Sequence, residues 1–164
     1  MRMLMRSKLM RRGKKYMLPP DDGQASVEFA LTFIIVIFAV FAAIELIMLI
    51  YTYVVLAEAA KEGVRYAVVH GANNSSPSGP TCPCPAIDGP PGTGVVKSTA
   101  KWSLHNTSTM TVTVTYLNNA GGAAANVKPP TMVRVTVSYP YQTFFTFGWS
   151  PITVRAAAQG RIIN

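Results

Sequence analysis

The chain predicts an α+β protein in which one long N-terminal helix, apolar in its first half and amphipathic in its second, packs on a small antiparallel β-sheet. Three observations carry that prediction. The 22 residues from Phe29 to Ile50 are apolar apart from Thr32 and Glu45. Small and apolar residues then recur at helical spacing through Leu56, Ala60, Gly63, Val64 and Ala67. Three later segments alternate apolar and polar residues with the period of two that a half-buried strand requires. The resulting organisation is a basic leader over residues 1–23, a helix over 24–70 and a loop-rich β-sheet head over 71–164.

The leader concentrates charge. Arg2, Arg6, Lys8, Arg11, Arg12, Lys14 and Lys15 stand against Asp21 and Asp22, which leaves the first 23 residues at +5 of a total formal charge of +8. A surplus gathered into one tract ahead of an apolar run, with no interleaved aromatic residues, argues against nucleic-acid binding. Lys and Arg beside a membrane span stay cytoplasmic, so the leader predicts a cytoplasmic N-terminus and an extracytoplasmic head.

The run from Phe29 to Ile50 is long enough to cross a bilayer. A helix of that length rises about 33 Å against a hydrocarbon core of about 30 Å. A secretory signal has an apolar region of only about 7 to 15 residues, so this segment should stay in the protein as a single span of the cytoplasmic membrane. Tyr51 and Tyr53 follow it, where amphipathic rings favour the membrane–water interface.

Two carboxylates need an explanation. A charged side chain within a bilayer costs on the order of 2.5 to 3.5 kcal/mol, which makes Glu28 and Glu45 functional candidates. Glu28 lies five residues after Gly23. Cleavage between Gly23 and Gln24 would place a new ammonium about one helical turn from the Glu28 carboxylate. Pairing the two would offset the cost of burying either. Because one rigid helix cannot easily close that pair, the ammonium of a neighbouring subunit is the expected partner, and the pair would set axial register. The competing reading is a Glu28 that snorkels to the cytoplasmic face. Glu45 sits seventeen residues on, roughly 25 Å along the axis and about 100° around it, so the two cannot form one site. It is either an interfacial, hydrated residue or a second intramembrane contact to another subunit.

Beyond the span, Glu58 with Lys61 and Glu62 with Arg65 make i,i+3 pairs opposite the apolar stripe. His70-Gly71 predicts the end of the helix, with glycine in the left-handed cap position. The stripe of Ala60, Gly63 and Ala67 allows close approach, either of the protein's own sheet or of a neighbouring helix.

The combination Val27-Glu28-Phe29-Ala30-Leu31, Ile44-Glu45, Tyr51, Tyr53 and Ala59-Ala60-Lys61-Glu62-Gly63-Val64-Arg65-Tyr66-Ala67 resembles the TadE-like family of tight-adherence (Flp) pilus systems. The resemblance covers about residues 23 to 70. It implies a minor pilin or pseudopilin, cut after Gly23 by a prepilin peptidase, with other pilin subunits and the pilus assembly machinery as partners. The early proline common in that family's apolar run is missing here, and no motif beyond Gly71 is assigned.

The head predicts a short helix over Val95–His105 and three strands. The first carries Met110, Val112, Val114 and Tyr116, the second Val133, Val135, Val137 and Tyr139, the third Ile152, Val154, Ala156 and Ala158. Asn118 to Gly122 supplies the turn after the first strand. Tyr139-Pro140-Tyr141 and Phe144-Phe145-Thr146-Phe147-Gly148-Trp149 form the densest aromatic cluster, read either as a contact surface or as a loop closing the core.

Three features that invite catalysis fail on their chemistry. Gly89-Pro90-Pro91-Gly92-Thr93-Gly94 looks like a phosphate loop, but Val95 stands where such a loop needs lysine. Cys82 and Cys84, with His70 and His105, make a poor zinc set. Outside the cytoplasm the two cysteines suit a disulfide, either between chains or in a strained ring, and two free thiols remain the alternative. No spacing marks a catalytic triad. The chain therefore reads as a non-enzyme without metal, cofactor or small-molecule substrate. The rival to a pilus subunit is a permanently anchored extracytoplasmic binding or adhesion protein that keeps its leader.

Overall fold

The computed structural model describes residues 22–79, 85–90, 92–104, 106–125, 131–143 and 150–163. Its elements are α1 (Asp22–Val69), α2 (Pro85–Asp88), α3 (Val95–Lys101), β1 (Thr111–Leu117), β2 (Met132–Tyr141) and β3 (Ile152–Arg161). The chain divides into two compact units at Val40 and Phe41.

The described part of the first unit is the opening of α1. Every residue from Gly23 to Val40 is exposed, apolar side chains included on all sides of the helix. A helix that is hydrophobic all round needs lipid or other protein as its surroundings. It is the one described helix with the length and composition to cross a membrane.

The second unit is an α+β head in which the remainder of α1 packs against a three-stranded antiparallel sheet, as the sequence predicts. The buried stripe of the helix runs through Thr52, Leu56, Ala59, Ala60, Gly63, Val64 and Ala67. Gly63 lies where the layers come close: a Cβ there would stand 2.6 Å from Val96 of α3, 3.3 Å from Val135 of β2 and 3.4 Å from Ile87 of α2. The small-residue stripe thus serves internal packing. Lys61 Nζ meets Glu58 Oε1 at 2.8 Å and Arg65 Nη1 meets Glu62 Oε2 at 3.8 Å, both pairs on the solvent side.

The strand order is β1-β2-β3. Val133 lies between Tyr116 and Gly160, Val135 between Val114 and Ala158, and Val137 between Val112 and Ala156. These rows form the inner face. Proline is tolerated in the central strand because Pro140 lies beyond the end of β1, where β2 pairs with β3 alone.

Two local expectations are corrected. Gly71 does not take a left-handed conformation, since the only described residues with positive φ are Gly92 and Gly121. The end of α1 is closed instead by side-chain and loop bonds: Asn74 Nδ2 donates to the Val69 carbonyl at 3.3 Å and Ser78 N to the His70 carbonyl at 2.8 Å. The helix from Val95 stops at Lys101, because the Ser103 and Leu104 amides both close on the Ala100 carbonyl and Leu104 turns into the core. The four-residue α2 was not legible, although it delivers Ile87 to a fully buried position.

Tyr116 ties the loop after α1 to the sheet. Its hydroxyl donates to the Ser78 carbonyl at 2.8 Å and lies 3.1 Å from Ser78 Oγ. Burial is the main reason its pKa is raised.

Candidate functional site

Gly23 and Gln24 lie in the first turn of α1, and Glu28 is one turn further on. Gln24 Nε2 donates to Glu28 Oε1 at 2.9 Å, and Thr32 Oγ1 donates to the Glu28 carbonyl at 2.9 Å. The rings of Phe29 and Phe33 stack with centroids 6.0 Å apart. Glu28 is therefore an exposed carboxylate on an exposed apolar rod, next to the position that would become the chain's amino terminus after cleavage at Gly23. A Cβ at Gly23 would meet nothing within 4 Å, so neither packing nor backbone geometry within the chain demands glycine there.

Glu45 is in a different setting. It lies in the second unit, on the helix face that continues through Leu49 and Thr52 to Leu56. Its Oε1 is shielded from solvent, as is the hydroxyl of Tyr141 at the end of β2. Burial first, then the neighbouring Glu45 carboxylate, push the Tyr141 pKa up to about 12. The residue that Glu45 influences within the chain thus belongs to the head. No local pattern announces this pairing, because the two residues lie ninety-six positions apart.

In the described part of the glycine-rich segment after α2, backbone amides are already engaged within the chain. The Gly92 amide donates to Ser98 Oγ at 2.8 Å, and Gly94 N donates to the Pro90 carbonyl at 2.9 Å. The adjoining groove, about 480 Å³, has Glu58 and Glu62 on its α1 wall. Carboxylates in that place oppose a phosphate.

Cys82, Cys84, His105 and the Phe144–Trp149 cluster lie outside the described residues, as does the leader. Of the other aromatic residues, Tyr141 is buried and Tyr139 half-buried. His70 stacks on Tyr66 with centroids 3.8 Å apart. Among the described residues no three His, Cys, Asp or Glu side chains gather as metal ligands would.

Together the described residues define one membrane-length helix followed by a small α+β head. The family model described as TadE-like protein matches residues 23–65, about a quarter of the chain, which is the segment holding Gly23, Glu28, Glu45 and the amphipathic turns up to Arg65. No curated protein and no solved structure matches the chain. The match and the apolar helix fit a membrane protein associated with a tight-adherence pilus.

Proposed function

We propose that this protein is a noncatalytic minor pilin or pseudopilin that is inserted in the cytoplasmic membrane, cut between Gly23 and Gln24 by a prepilin peptidase, and used in assembling a tight-adherence pilus. The observation that carries this reading is the exposed carboxylate of Glu28, one turn from Gln24 on a stretch of helix, residues 23–40, that is exposed on every side and almost wholly apolar. In the intact chain the carboxylate accepts from the Gln24 amide. After cleavage the same position offers it an ammonium, and in a dry bundle of helices a neighbour's ammonium is the partner that offsets its desolvation. The TadE-like match over residues 23–65 supports the assignment. The freedom around Gly23 supports it too, since a glycine with no structural duty is explained by recognition from outside the chain.

The test is the amino-terminal sequence and intact mass of the protein from native membranes and from sheared surface filaments. A chain that begins at Gln24 and occurs in the filament fraction is the expected result. A chain that keeps residues 1–23 and occurs only in membranes overturns it in favour of the permanently anchored binding protein.

A further inference from the structure

The outer face of the sheet points to a second role. Its central rows are Thr111, Ser138 and Arg155, then Thr113, Thr136 and Ala157, then Thr115, Arg134 and Gln159. No apolar side chain larger than alanine stands in these rows, and no Asp or Glu occurs anywhere after Asp88. Part of the face sinks into a depression of about 530 Å³ whose walls include Thr113, Thr136, Thr153 and Arg155, with Tyr139 and Pro140 at one end. Arg134 is held by Gln159, Nη2 donating to Oε1 at 3.1 Å, whereas Arg155 belongs to the depression itself.

We infer that this face binds an acidic polysaccharide. Threonine and serine hydroxyls donate and accept, which suits a ligand carrying both hydroxyls and carboxylates. A guanidinium forks onto a carboxylate. Pro140, at the end of the depression, gives the apolar side of a sugar ring something to rest on. A protein partner is a poorer fit, because the centre of a protein interface is apolar and these rows are not. Single-stranded nucleic acid is poorer too, for it takes a series of aromatic platforms along a basic groove, and here one tyrosine and one arginine line the depression. The proposed pilus role enters only in placing the head outside the cell, where such a polymer is met.

The experiment uses the full chain in detergent micelles over immobilised polygalacturonate, with dextran as the neutral polymer and duplex DNA as the other polyanion. Binding to polygalacturonate and none to dextran is expected. Arg155→Gln should weaken it about tenfold, the loss of one charge-assisted contact. Thr136→Val should weaken it a few-fold, while Lys97→Gln with Lys101→Gln, on α3 at the opposite side of the sheet, should leave it unchanged. Equal binding to dextran, tighter binding to DNA, an unaltered Arg155→Gln protein, or an equal loss in the lysine variant would each overturn the inference. Filaments carrying Arg155→Gln should still assemble. A wild-type chain absent from filaments that still binds polygalacturonate would sink the pilus reading and leave this one standing.

Discussion

The hydroxyl of Tyr141 and Oε1 of Glu45 are both shielded from water, one at the end of β2 and the other on the head-facing side of α1. A phenol placed beside a carboxylate in such a site keeps its proton. Its pKa of about 12 stands above the ordinary value of about 10.

A group whose folded pKa is raised contributes stability in full below its unfolded value and loses it as pH climbs through the folded value. Between about pH 10 and about 12 the wild-type head should therefore lose stability relative to Tyr141→Phe, and below pH 9 the difference should be flat. Denaturant unfolding followed by near-ultraviolet dichroism over that range checks it. The wild-type minus Tyr141→Phe absorbance of tyrosinate should have its midpoint near pH 12, and a midpoint near 10 would show that the pairing is absent.

Gly63→Val should destabilise the head by about 1 to 3 kcal/mol, because the stiff Val96 and the packed Val135 and Ile87 leave no room for the added atoms. Chemical unfolding measures it. Gly23→Val, in open space, should leave the same transition where it is.

Tyr116→Phe should cost about 1 to 3 kcal/mol by stripping the Ser78 carbonyl of its buried donor. The loss should fall first on the segment after α1, so limited proteolysis within residues 71–79 should quicken more than cleavage elsewhere in the head.

Glu28→Gln should accumulate to normal levels, since the side chain supports no packing in the head, yet enter filaments poorly because it has no charge to offer a neighbour's ammonium. Counting the subunit in sheared filaments against the membrane pool measures this. Equal incorporation of the variant would remove Glu28 from the assembly mechanism. Gly23→Val should retain residues 1–23, visible as added mass.

The long helix and all three strands were legible because each obeys one period without interruption: 3.6 from Leu56 to Ala67, and two in Val112-Val114-Tyr116, Val133-Val135-Val137 and Val154-Ala156-Ala158. The carboxylates of Glu28 and Glu45 were legible as anomalies in an apolar run. The rest depended on contacts between distant residues. Nothing local announces that Tyr141 will reach Glu45, that Tyr116 will hold Ser78, or that α2 will form from four residues to bury Ile87. Gly71 misled for a related reason: a glycine after a helix ordinarily supplies a left-handed cap, but here Asn74 and the returning Ser78 amide satisfy the carbonyls first.

The absence of side-chain carboxylates beyond Asp88 has a consequence for life in acid. The described side-chain carboxylates, from Asp22 to Asp88, all lie on α1 or α2, and β1, β2 and β3 carry none. Acid denaturation is driven mainly by carboxylates that must give up native partners, and the sheet has none to surrender. Its arginines keep the same charge in acid as at neutrality, so a drop in pH should work on the helices and spare the surface that the strands display.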